Sequence, residues 1–203
     1  VDVPVVPFGK PRPERADAAR NREHLLRTVR AMIAELGPES VTMDGLAERA
    51  GLGKGTVFRR FGTRAGIFQA VLHDDELRFQ ERVLHGPPPL GPGAEPKERL
   101  IAYGLARFDM LRGNHAIFRA ALGHSPLAPA SVSMTPPHVR MLLRQASPPL
   151  PHPDGLALQL AAALEGPLLL YLRTDELTGP QGEVGCNHLA ESWRTLVERV
   201  FDG

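Results

Sequence analysis

A lone cysteine, Cys186, excludes an internal disulfide framework and a cysteine-based metal site. Aromatic residues are also scarce, at 5% against 42% hydrophobic residues overall, and leucine and alanine dominate the apolar stretches. That balance favours helices over sheets. A formal net charge of +1 over 203 residues implies no nucleic-acid partner for the molecule as a whole, so any affinity for a polyanion must arise from local charge. A membrane-spanning helix needs roughly 18 apolar residues. The longest apolar run, around Leu168–Leu172, falls far short. Prolines and charges interrupt the opening VDVPVVPFGKPRPERADAARN, which rules against a signal peptide. The expectation is a soluble, cytoplasmic protein with no membrane partner.

What the chain does have is helical periodicity. Residues 1 to about 18 read as a flexible arm of prolines and basic residues. A helix is expected from about Asp17 to Leu36, where Leu25, Leu26, Val29, Met32, Ile33 and Leu36 recur at spacings of three and four. Gly37 and Pro38 stop it. Thr42 then offers a hydroxyl as N-cap for a short helix that ends at Ala50 and buries Leu46, Ala47 and Ala50. Gly51 suits a residue of positive φ, and Leu52 plugs the turn. A second short helix, from about Lys54 to Phe61, buries Val57 and Phe61. Helices this short must pack on the first one, giving a three-helix unit that ends in a helix-turn-helix. Thr63 caps a longer helix to about Leu84, with Ile67, Phe68, Val71, Leu72 and Leu77 inside. HGPPPLGPGAEP, residues 85–96, reads as a linker. Beyond it, helices are expected at about 96–112, 114–123, 136–146, 154–173 and 186–201, with proline-rich joints at 125–137 and 147–153 and a kink at Pro167. The fold class is all-α: an N-terminal three-helix helix-turn-helix domain and a larger helical domain.

Charge is distributed unevenly in this frame. Between Glu48 and Asp74 stand Arg49, Lys54, Arg59, Arg60 and Arg64, and no acid. Lys54 and Arg64 open their helices, where a cation opposes the helix dipole unless an anion arrives at the same end. Arg59 and Arg60 lie away from Val57 and Phe61. A short helix presented past a glycine turn and flanked by positive side chains suits a DNA major groove. The alternative is a solvated basic face.

The stretch VTMDGLAERAGLGKGTVFRRFGTRAGIFQAVL, residues 41–72, resembles the DNA-binding region of the TetR family of transcriptional regulators. Thr42, Ala50, Gly51, Lys54, Gly55, Thr56, Phe61, Thr63 and Arg64 match that pattern or nearly so, and the resemblance extends over roughly residues 20–75. Three positions depart from it: Gly53 stands for the usual capping serine, Phe58 for a tyrosine and Arg60 for a histidine. The resemblance implies that Thr42, Lys54, Thr56, Arg60 and Arg64 hold the DNA backbone, while Gly55, Phe58 and Arg59 meet bases or methyl groups. Phe58 packing in the core is the alternative. It also implies an organisation: an arm over residues 1–18, the DNA-binding domain over 19–62, a connecting helix over 63–84 and a ligand-binding and dimerisation domain over 85–203.

For that last domain the resemblance implies a homodimer formed by the two final long helices. The stripe Ala157, Leu160, Ala161, Leu164, Leu168 and Tyr171, and a second of Leu189, Trp193, Leu196 and Val200, permit it. The alternative is that both stripes are the domain's own core. A dimer would read a two-fold symmetric operator on double-stranded DNA. The resemblance further implies a pocket for a small, mainly apolar inducer. Candidate apolar lining is Phe108, Met110, Leu111, Phe118, Leu122, Met141, Leu142 and Leu170, with Arg107, Asp109, His115, Arg119 and His124 as polar contacts. The histidines lack the spacing of a metal site, no spacing assembles a nucleophile, base and orienter, and no cofactor is expected. The functional expectation is a repressor released from its operator by ligand. Its rivals are an activator, a regulator governed by a protein partner, and a small helical enzyme or adaptor without DNA binding.

Overall fold

The computed structural model describes residues 13–122, 134–171 and 180–202. Among them the only regular elements are helices: α1 (Pro13–Leu36), α2 (Met43–Ala50), α3 (Lys54–Phe61), α4 (Arg64–His85), α5 (Pro96–Leu122), α6 (Thr135–Arg144), α7 (Pro153–Tyr171) and α8 (Pro180–Asp202), with a 3-10 turn at Pro38–Ser40. The chain divides into two compact units, Val1–Val71 and Leu72–Gly203, so α4 contributes to both.

In the first unit the expected caps are all present. The Gly45 amide donates to Thr42 Oγ1 at 3.0 Å and opens α2. At the other end Gly51 adopts φ 64°, a left-handed conformation, and the Leu52 amide reaches back to the Ala47 carbonyl at 3.0 Å. The Gly66 amide donates to Thr63 Oγ1 at 3.0 Å and starts α4. Leu25, Leu26 and Val29 of α1, Leu46 of α2, Val57 of α3 and Ile67 and Phe68 of α4 are buried together as the unit's apolar interior. The imidazole Nε2 of His24 lies 3.0 Å from the Ala50 carbonyl and ties α1 to the end of α2. One boundary differs: helix begins at Pro13, inside the stretch expected to be an arm. Proline is tolerated in a first helical turn because its missing N–H has no intrahelical partner there, and the Glu, Arg and Ala residues that follow are good helix formers.

The second unit departs further. Residues 96–122 form one helix rather than two. Gly113 costs about 1 kcal/mol in a helix interior, but Phe108, Leu111, His115 and Ile117 are buried on both sides of it, so packing overrides the local preference. Two prolines fall in the first turn of α6, where they sacrifice no helical hydrogen bond. Helix α7 continues through Pro167, and α8 starts at Pro180 instead of 186. Leu90, in the expected linker, is buried against the core of this unit.

That core contains a polar cluster the sequence did not announce. The Tyr103 ring meets Phe79 edge-on at 5.2 Å and lies 4.7 Å from the His138 ring, while its hydroxyl sits 3.0 Å from Thr135 Oγ1. Burial pushes the Tyr103 hydroxyl's pKa up despite the Thr135 hydrogen bond. Burial, aided by the positive charge of Arg99, lowers the His138 pKa from 6.5 to about 4. The folded chain therefore refuses, down to about pH 4, a proton that the unfolded chain accepts below about pH 6.5. Stability present above that window is lost as pH falls through it. Urea unfolding at pH 7 and pH 4 should show a His138→Leu variant gaining on the native chain by up to about 3 kcal/mol across this interval. Parallel pH profiles for the two proteins would assign acid sensitivity to other groups.

Candidate nucleic-acid interface

Helix α3 buries Val57 and Phe61 and turns its remaining side chains outward. Around a helix of 3.6 residues per turn, Arg59 is two residues from each buried position, roughly 200° from both, and Gly55 lies one turn before it. Lys54, Gly55, Phe58, Arg59 and Arg60 are exposed, and Thr56 is half-buried. Phe58 is 50% exposed, so the core alternative for this residue is excluded. No acidic residue occurs in α3. The carboxylate of Asp44 lies 2.9 Å from Lys54 Nζ. Both side chains are well solvated, so this pair holds weakly and an incoming phosphate can exchange for the carboxylate. As expected from Gly53, the start of α3 has no side-chain cap.

A methyl group added at Gly55 would meet nothing within 4 Å. The folded chain itself gives no reason for glycine here, although glycine is unfavourable in a helix. Thr42 is exposed with its oxygen accepting from Gly45, which leaves its hydroxyl proton free to point outward.

Arg64 is drawn inward rather than presented as an outward-facing cation. Its Nε donates to the Val41 carbonyl at 2.7 Å, and a terminal nitrogen donates to the Pro38 and Glu39 carbonyls at 2.8 and 3.2 Å. Its guanidinium also lies 5.0 Å from the centre of the Phe68 ring. Its planar fork braces the turn that leads into Thr42.

In the second unit, the expected ligand-contacting residues differ in burial. Phe108, Leu111, His115 and Leu142 are buried and Phe118 is half-buried, but Asp109, Arg119 and Met141 are exposed. Asp109 pairs with Arg112 at 3.1 Å. Arg107 pairs with Glu76 at 2.6 Å and lies over the Phe79 ring, which ties α5 to the second half of α4. Met110 packs against the core. The side chains of Leu122 and Leu170, and all of His124, lie outside the described residues. Sequence reading missed Tyr103, Thr135 and His138. The available signal was a tyrosine within an apolar helix together with a Thr/His pair three residues apart, hence on one helix face.

The dimerisation stripes require a correction. Ala157, Leu160, Ala161, Leu164 and Trp193 are at most 4% exposed within a single chain, so a second copy cannot reach them. They belong to the unit's own core, and Leu189 and Val200 pack partly buried against it. Leu196 remains 39% exposed, and among the described residues of α7 the exposed large apolar side chain is Leu158, at 60%. The side chains of Leu168 and Tyr171 lie outside the described residues. Among the described residues no cluster of histidine, cysteine and carboxylates is arranged to hold a metal, and no helix is long and apolar enough to cross a membrane.

Comparison with known proteins bears on this arrangement. Residues 25–71 match the family described as "Bacterial regulatory proteins, tetR family". The chain is 30% identical over 161 residues to the HTH-type transcriptional regulator BetI of Stenotrophomonas maltophilia (strain R551-3), an alignment covering 75% of this chain and 80% of that protein. Its fold is similar to a crystal structure of a TetR-family transcriptional regulator from Pectobacterium atrosepticum, with a TM-score of 0.72 and 20% identity over 92% of this chain and 97% of the other. It is also similar to NalD of Pseudomonas aeruginosa, described as the secondary repressor of the MexAB-OprM multidrug efflux pump, with a TM-score of 0.54 and 19% identity over 87% and 96% of the two chains.

Proposed function

Because this chain belongs to the tetR family of bacterial regulatory proteins, we propose that it is a sequence-specific DNA-binding transcriptional regulator that inserts α3 into the major groove. The observation that carries the reading is the outward face of α3, where exposed Lys54, Phe58, Arg59 and Arg60 surround a bare Gly55 on a helix that itself carries no acid. The cations supply the sequence-independent attraction to phosphate, and the centre of the face meets base edges. A helix of eight residues reads only a few base pairs, so useful specificity calls for two copies on a two-fold symmetric operator. Leu158 of α7 and Leu196 of α8 are exposed large apolar residues that support a homodimer. Repression is the simplest consequence, since a bound dimer obstructs its operator without a further partner. Release would come from a small, mainly apolar ligand that favours a spacing of the two α3 helices unable to fit DNA. Helix α4, which carries residues of both units, is the covalent route for that coupling.

Selection of bound duplexes from a random DNA pool at near-physiological salt tests this reading. Enrichment of a two-fold symmetric motif is the expected result. Folded protein that enriches no motif would overturn it for the ligand-free form.

The role of Gly55 yields an outcome of two opposite signs. Gly55→Ala should stabilise the protein by about 0.5–1 kcal/mol, because the helix gains propensity and the new methyl meets no neighbour. The same methyl should weaken operator binding by obstructing close approach. Thermal melting read beside fluorescence anisotropy on the selected duplex separates the two effects. Unchanged affinity would show that the DNA does not come within contact of this position.

A further inference from the structure

Arg64, the first residue of α4, and Val41, the residue before the cap of α2, stand 23 positions apart in the chain. Between them lie α2, the glycine turn and α3, the whole of the helix-turn-helix. The Arg64 side chain closes this loop. Its Nε and one terminal nitrogen donate to the carbonyls of Val41, Pro38 and Glu39, so one edge of a planar group meets three backbone acceptors of the connecting turn. Phe68, one turn further along α4 and fully buried, backs the guanidinium with its ring. The Glu39 carboxylate, at 3.3 Å, is largely exposed and adds little.

The Val41 carbonyl and the Thr42 amide share one peptide plane. Fixing that carbonyl fixes the direction of the amide and, with it, the extended conformation in which Thr42 caps α2 (φ −121°, ψ 160°). The fully buried Val41 side chain anchors the same segment from the core. The exposed Thr42 is thereby set relative to α3, which runs into α4 through Gly62 and Thr63 alone. Donors committed to carbonyls are not offered to a phosphate.

Resting on the DNA-binding reading above, we propose that Arg64 is a positioning residue for operator recognition: it clasps the two ends of the helix-turn-helix, sets Thr42 against α3, and does not hold a phosphate. A cation that meets phosphate strengthens binding to every sequence. One that sets geometry strengthens only the complex in which all contacts engage together. Lysine separates the two roles, because it keeps the charge but replaces the fork with a point-like ammonium.

The test compares the full native chain with Arg64→Lys on the selected duplex and on a scrambled duplex of the same composition, by fluorescence anisotropy across a salt series. Helical circular dichroism and melting temperature establish that the variant is folded at the temperature of measurement. Arg64→Lys should lose about tenfold in affinity for the selected duplex, the scale of losing hydrogen bonds from a charged donor. Its affinity for the scrambled duplex and its salt dependence should match those of the native protein. Native affinity on both duplexes overturns the proposal, because the ammonium then either replaces a phosphate contact or leaves DNA binding untouched. An equal loss on both also overturns it, by placing the guanidinium against the sugar-phosphate backbone. Should Arg64→Lys fail to fold, Arg64→Gln takes its place. Weakened binding to the selected duplex with an unchanged salt slope is then expected, and a slope smaller by about one unit overturns the proposal. Native protein that enriches no motif from the random pool would instead remove the DNA-binding reading itself, and this assignment with it.

Discussion

Replacing Gly104 with alanine should destabilise the second unit by about 3 kcal/mol or more, toward the upper end of overpacking effects. Helix α5 places this glycine directly beneath the Trp193 indole of α8. A Cβ there would overlap the indole nitrogen and Cε2, and would lie 2.5 Å from Cδ1. The indole has no room to retreat, because Trp193 is almost fully buried and its Nε1 donates to the Leu100 carbonyl at 3.2 Å. Moving the ring would break that bond and leave a buried donor unsatisfied, adding to the steric cost. Trp193 is the only tryptophan in the chain, so its fluorescence reports this contact alone. The variant should show a red-shifted emission maximum and an earlier urea midpoint. An unchanged midpoint would mean that α5 and α8 separate readily here, contrary to close packing of the indole on a glycine backbone.

Arg59→Ala should lower affinity for the selected operator by about ten- to a hundredfold, the range for losing a bidentate contact to a guanine edge. Arg59 stands at the middle of the outward face of α3, where a side chain enters the groove most directly. The loss should be concentrated at one base position, so a repeated selection with the variant would return a motif relaxed there. Stability should change by less than about 0.5 kcal/mol, because the side chain is exposed. Lys54→Ala provides the contrast, since a cation that meets phosphate weakens all sequences alike and shifts the salt dependence of binding by about one unit. Indistinguishable effects from the two substitutions would reduce the role of Arg59 to general attraction.

The helix-turn-helix was legible because its signals are local. A cap at Thr42 acts on an amide three residues away, Gly51 acts on its own backbone, and Val57 and Phe61 share a face by periodicity alone. None of these depends on a distant part of the chain, and each was expected before the structure. The exposed disposition of Phe58, by contrast, was settled only by how α3 rolls onto its neighbours. Arg64 shows the same limit. Its position at a helix start suggested an anion partner, and only the structure showed its Nε and one terminal nitrogen donating to carbonyls more than twenty residues earlier in the chain.

By itself, the sequence determined helical content, the position of the glycine turn, the caps and the concentration of cations around α3, because each follows from neighbours within one or two helical turns. Tertiary structure alone decided whether an apolar stripe faces the chain's own core or the solvent. Ala157, Leu160, Leu164 and Trp193 have the spacing of an interface and the burial of an interior, and periodicity is identical in the two cases. It also decided that Tyr103 meets Thr135 and His138, residues more than thirty positions away whose pairing no local rule encodes. The physical reason is that the hydrophobic effect is non-directional: it requires that a stripe be covered, and only the assembled packing of helices selects what covers it.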